Sequence, residues 1–133
     1  MTATLSLELK DLLSELRRRN WTLIRWGPED SPQLWAAMFK WLDCADVFIL
    51  RSEAKANAYR VPTPDGDGIF NPGRVFYQYH ASPLWTLRAI LALPEPRHPE
   101  APTGIEGAAP ECLLPERLSK PVVLRPLSPY RGA

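Results

Sequence analysis

The sequence predicts an α+β domain of order α-β-α-β-β-β-α, built on a four-stranded mixed sheet with helices mainly on one face and an extended proline-rich C-terminal strap. Three observations carry this prediction. Apolar residues recur at helical spacing in residues 5–16 and 34–42, and residues 84–93 are apolar almost throughout. Runs rich in β-branched and aromatic side chains lie between those stretches. Nine of the fifteen prolines fall in residues 94–133, which marks 1–93 as a compact α/β domain and the rest as a tail packing on that domain or on a partner.

The first helix is expected from Ser6 to Arg19, because Leu5, Leu9, Leu12, Leu13 and Leu16 share one face. Arg17, Arg18 and Arg19 complement the dipole at its C-terminus, and Asn20 suits the stop. Trp21–Trp26 reads as a strand closed by Gly27-Pro28. Ser31-Pro32 then resembles a helix start, a hydroxyl N-cap followed by proline, so a second helix is expected to Leu42. Its apolar face would carry Leu34, Trp35, Met38, Phe39, Trp41 and Leu42.

Ala45–Arg51 contains the run Val47-Phe48-Ile49-Leu50, apolar on both faces as in a central strand. Lys55–Val61 follows a short turn and is expected to pair antiparallel to it. After a loop rich in Pro, Gly and Asp, Arg74–His80 reads as a fourth strand. Ser82-Pro83 opens a third helix over Leu84–Leu93. The strand-helix-strand unit at 21–51 favours a parallel crossover, and the last three strands a meander.

The third helix has no polar stripe apart from Arg88, so it is expected to be covered on two sides, by the sheet and by the tail. The tail carries two apolar anchors, Cys112-Leu113-Leu114 and Val122-Val123-Leu124, the second bracketed by Pro121 and Pro126 as in an edge strand. Residues 94–116 hold five glutamates and one arginine, while Arg117, Lys120, Arg125 and Arg131 follow with no acid.

Composition excludes several classes. An apolar fraction of 45% excludes global disorder, and a net charge of +1 supplies no general field for nucleic acid or anionic lipid. Charged Glu8, Lys10 and Asp11 interrupt the N-terminal apolar residues, unlike a secretory signal. The longest apolar stretch is shorter than the roughly 20 residues a membrane span needs. Two cysteines, Cys44 and Cys112, cannot build a disulfide framework and read as free thiols of a cytoplasmic protein. Twelve arginines against four lysines, with abundant Ala and Pro, fit a GC-rich bacterial genome.

Four chemical constellations present themselves, each with a structural objection. Asp46, Glu53 and Lys55 carry the letters of a metal-dependent nuclease core, in which carboxylates hold Mg²⁺ and a lysine supports the attacking water. Glu53 falls in a turn, well away from Asp46. Cys44 and His80 would lie at opposite ends of the sheet, roughly 20 Å apart by strand rise, too far for a nucleophile and its base. Asp65-Gly66-Asp67-Gly68 resembles the start of a calcium loop but lacks the later ligands. His80 and His98 with the two cysteines show no zinc spacing.

These objections, with no cofactor motif, point to a non-enzymatic interaction module, an adaptor or assembly component of a larger bacterial complex. Its partner would be a protein or a second copy engaged through the tail. The expected contact set is Trp85, Arg88, Val122, Val123, Leu124 and Tyr130. The alternative is a nucleic-acid-binding protein or nuclease using Asp46, Glu53 and Lys55, with the Arg17–Arg19 cluster and the aromatics.

Overall fold

A computed structural model describes residues 7–63 and 68–125, with side chains described from Lys10 onward. Two helices, α1 (Leu7–Arg18) and α2 (Pro83–Leu91), accompany eight strands. These are β1 (Thr22–Trp26), β2 (Leu34–Lys40), β3 (Cys44–Leu50), β4 (Ala56–Pro62), β5 (Arg74–Val75), β6 (Tyr77–Ala81), β7 (Glu106–Gly107) and β8 (Pro121–Leu124). Six of them form one antiparallel sheet in the order β6-β4-β3-β2-β1-β8, and β5 pairs with β7 in a separate two-stranded ribbon.

This corrects the predicted architecture of four strands, three helices and a parallel crossover. The error sits at Leu34–Lys40, which is a strand paired antiparallel on both sides, to β1 and to β3. Leu34, Ala36 and Met38 face one way and Trp35, Ala37 and Phe39 the other, and both faces meet apolar layers. A strand covered on two sides loses the alternation that would identify it, and its continuous apolar run then satisfies helical spacing equally well. The Ser31-Pro32 signal belongs to the β1–β2 turn. There Gly27 takes a left-handed φ of +95°, and a Cβ would lie 2.8 Å from the Gln33 nitrogen, so glycine alone fits without strain.

α1 ends as its sequence suggests. Asn20 adopts φ 71°, the Asn20 amide donates to the Arg17 carbonyl at 3.0 Å, and the Trp21 amide donates to the Leu16 carbonyl at 3.0 Å. This pair of bonds is a Schellman closure, and the accompanying apolar contact brings Leu16 and Trp21 into one core. Both helices cover the same face of the sheet, where Leu13, Leu16, Leu87 and Ile90 meet Leu23, Ala37, Phe48 and Ala58.

The opposite face has a different cover. Ile24, Trp26, Ala36, Val47, Ile49, Tyr59 and Val61 form a second core with Val75, Cys112, Ile69, Phe70, Ala108, Leu114 and Leu118. After α2 the chain joins β5 through β7, turns at Pro110–Cys112, and crosses the sheet to β8, where the Ser119 amide donates to Gln33 Oε1 at 2.8 Å. β8 then pairs antiparallel to β1, Leu124 opposite Leu23 and Val123 opposite Ile24. Residues 108–118 of the tail therefore lie against the sheet face away from the helices, and Pro96, Pro102 and Thr103 pass the end of the sheet beside Cys44 and Pro62, so the described part of the tail leaves the outer side of the third helix open. Trp85 on α2 remains 59% exposed.

The predicted fourth strand is divided. At Phe76, whose amide donates to the Arg60 carbonyl at 2.8 Å, the chain passes from β5 to β6. β3, the predicted central strand, is buried at all seven positions.

Candidate functional site

Alternation along β3 and β4 sets two polar clusters on opposite faces of the sheet. On the helix face Asp46 lies opposite Arg60 in the β3–β4 register, and both are almost fully buried. Arg60 Nε donates to Asp46 Oδ1 at 2.6 Å and Nη2 to Oδ2 at 3.0 Å, a two-point fork. The Trp41 indole donates to the same Oδ2 at 3.0 Å, and its ring lies 5.9 Å from the guanidinium carbon. Asp46 is thus committed to Arg60 and Trp41.

On the strap face Arg51, Asn57, His80 and Gln78 form a chain. Arg51 Nε donates to Asn57 Oδ1, which turns the Asn57 amide nitrogen toward His80 Nδ1 at 2.8 Å. His80 Nδ1 accepts that bond, so its proton sits on Nε2, which donates to Gln78 Oε1 at 3.1 Å. The same Gln78 oxygen accepts the Ala109 amide at 2.9 Å, while Gln78 Nε2 donates to the Glu106 carboxylate and to the Gly107 carbonyl at 3.1 Å. Arg51 Nη2 donates to the carbonyls of Glu111 and Leu113. The chain is a staple between sheet and strap. Both His80 nitrogens are engaged, which leaves no lone pair for a general base. A groove of about 590 Å³ lined by Arg51, Lys55, Asn57 and His80 opens beside it.

The nuclease constellation does not assemble. Asp46 is buried in β3, whereas Glu53 and Lys55 are exposed in the β3–β4 turn at the other end of that strand. Cys44 pairs opposite Pro62 and His80 opposite Asn57, at different ends of the sheet and on different faces. Burial pushes the Cys44 thiol up from the ordinary 9.0 to about 11, and burial also raises Cys112. Both thiols are free and buried. Asp65, Gly66 and Asp67 lie outside the described residues. Among the described residues no group of three or more His, Cys, Asp or Glu is arranged to hold a metal ion.

These thiols give a measurable consequence. A thiol reagent at pH 8 is expected to titrate neither cysteine in the native chain and both in urea. The native state also retains the Cys44 proton that the unfolded chain releases. Stability from this group is therefore full below pH 9.0 and declines as pH rises toward 11, readable as a falling urea midpoint.

Of the predicted contact residues, Trp85 and Arg88 project from the outer side of α2, with the Arg88 guanidinium 5.3 Å from the Trp85 ring centroid. Arg88 stacks there, and among the described residues no ion pair joins it to a strap glutamate. Val122 and Val123 are 40% and 48% exposed on β8, while Leu124 is half-buried against the helix-side core. Tyr130 lies outside the described residues. The structure thus separates the contact set into a helix pair and an edge-strand pair.

Sequence reasoning missed both polar clusters. One signal was present: Asp46 and Arg60 stand seven residues to either side of Glu53, the centre of the Arg51–Lys55 turn, so a hairpin closed there places them opposite each other. Compared with protein-family models, curated proteins and solved structures, the chain matches none. No helix among the described residues is long and apolar enough to cross a membrane.

Proposed function

We propose that the chain is a non-enzymatic protein-interaction module, an adaptor or assembly component, that takes an extended segment of its partner along the outer edge of β8, which no strand among the described residues pairs. One observation carries this reading. β8 is an outer strand of the sheet with β1 as its neighbour, and it presents Val122 on one face and Val123 on the other with large exposure. An exposed apolar edge is a template for strand addition. Arg117, Lys120 and Arg125 flank it with no acid between 117 and 125, so the matching partner segment is apolar with acidic flanks. Trp85 and Arg88 on α2 offer a second contact, of the residue types favoured at interface centres. The two buried thiols suit a reducing compartment, and we place the protein in the cytoplasm.

A photo-crosslinking amino acid at Val123, in cells that express the chain, tests this. One predominant crosslinked protein is expected, lost when Val122 is replaced by lysine. The same probe at Leu42, which is 82% exposed on the β2–β3 turn, serves as the control. An identical crosslinking pattern from both positions would refute edge recognition, and crosslinking only to a second copy would make the chain a self-assembling unit.

A further inference from the structure

The groove of about 590 Å³ lies at the end of the sheet where β3 turns into β4 and where α2 begins. Two cations meet in its wall. One step beyond the last ladder pair, Leu50 opposite Ala56, the Arg51 amide donates to the Lys55 carbonyl at 3.0 Å, and both residues line the groove. Like charges directly opposite each other in a hairpin repel. The Arg51 guanidinium is held within the lining, since Asn57, Glu111 and Leu113, whose oxygens accept from its Nε and Nη2, are themselves groove residues. Nη1 makes no hydrogen bond among the described residues. Nor is it one of the unpartnered nitrogens sealed from solvent, which belong to Trp35 and Arg60, so it stays within reach of a ligand.

Neither cation is balanced in place. Arg51 is half-buried, Lys55 is exposed, and among the described residues no carboxylate lies within ion-pair distance of either. The oxygens that hold Arg51 are neutral amide and carbonyl groups, which orient a guanidinium without cancelling its charge. Burial lowers the Arg51 pKa from its ordinary value, and the negative charge of Glu111 opposes that only in part. Glu111 is the one carboxylate in the lining, against Arg51 and Lys55. A monoanion restores the balance. A cation would add to the repulsion, and a neutral ligand would leave it.

The remaining wall fits an organic anion. Ser82, whose side chain makes no capping bond, starts a helix with no acid in its first turn, so the positive end of α2 adds to the same field. Ala81, Pro110 and Leu113 supply apolar surface. The volume falls within the roughly 300–1,000 Å³ range of small-molecule sites.

We propose that this groove binds a small organic monoanion, a carboxylate seated between Arg51 and Lys55 with its apolar body against Ala81, Pro110 and Leu113. The site is built on β3, β4 and β6, at the side of the sheet remote from β8, and stands independently of the edge-recognition reading.

The test titrates the ¹⁵N-labelled full chain with sodium benzoate at constant ionic strength, with benzamide and benzylamine as neutral and cationic comparators. Benzoate is expected to shift the Arg51 side-chain signal saturably and to bind about tenfold more tightly than benzamide, the factor a charge-assisted hydrogen bond supplies. Benzylamine is expected not to bind. Lys55→Glu sets a carboxylate opposite Arg51 within the chain itself, and it is expected to abolish benzoate binding without lowering the thermal midpoint. Absence of a saturable Arg51 shift up to the solubility limit of benzoate would overturn the proposal. So would benzamide or benzylamine binding as tightly as benzoate, or unchanged benzoate affinity in Lys55→Glu.

Discussion

Replacing Asp46 by alanine is expected to cost about 3–5 kcal/mol of folding stability, because it leaves the Arg60 guanidinium buried without its counter-charge. The magnitude follows from geometry. Both side chains are almost entirely removed from water, so solvent screens little of the interaction. The loss also strips the Trp41 indole of its acceptor. Arg60→Met alone is expected to be costly for the mirror reason, since it strands a carboxylate. Changing both, Asp46→Leu with Arg60→Met, is expected to recover most of the loss, because two apolar side chains need no partner at that depth. Urea unfolding of the four proteins measures the coupling. Additive single losses would show that the fork contributes nothing beyond the packing of each side chain.

Ending the chain after Leu93 is expected to abolish the folded monomer. The truncation removes Cys112, Leu114 and Leu118 from above Ile24, Val47, Ile49 and Tyr59, and removes β8 from the β1 edge. It exposes a broad apolar sheet face, a surface that soluble monomers do not leave open. Arg51 and Gln78 also lose the carbonyl, amide and carboxylate partners that the strap provides. Light scattering with near-ultraviolet circular dichroism is expected to show aggregation and loss of fixed tertiary signal. A well-ordered 1–93 monomer would mean that the strap is an accessory and the sheet is stable with one covered face.

Elements with one covered face were readable, because their periodicity survives: α1, with its leucine stripe, arginine-rich end and Asn20 stop, lies within a residue or two of its expected bounds. β3, buried at all seven positions, has no such period and was accessible instead from its short run Val47-Phe48-Ile49-Leu50 and the turn that follows it, as α2 was from its Ser82-Pro83 start. β2 was not, because a strand buried on both faces carries no period of two, and Leu34, Trp35, Met38 and Phe39 fit a helical face by coincidence of spacing. That single substitution of helix for strand changed a parallel crossover into an imagined feature and hid the antiparallel order of the whole sheet.

The tail was half legible. Its prolines and two short apolar anchors announced an extended, docked segment, and the bracketing of Val122–Leu124 suggested an edge strand. Which surface it would cover was inaccessible, because the cue comes from α2, whose apolar character predicts a second cover. α2 instead turns Trp85 and Arg88 outward, stacked on each other. The polar clusters were hidden for a different reason. Asn57, Arg60 and Gln78 are isolated polar residues within apolar strands, and their partners emerge only once hairpin register and strap route are both known.

The pairing of β8 with β1 joins one of the last described segments of the chain to one of the first. A ribosome delivers Thr22–Trp26 about a hundred residues before Pro121–Leu124, at roughly 5–20 residues per second. For those seconds the nascent meander has an open β1 edge and a bare apolar face, and closure of so distant a contact carries a loop-entropy cost. The interval between synthesis of β4 and release of the strap is therefore the period in which this protein is most exposed to misassembly. It is also when binding by a chaperone to the strap-facing surface of the sheet would have the most effect.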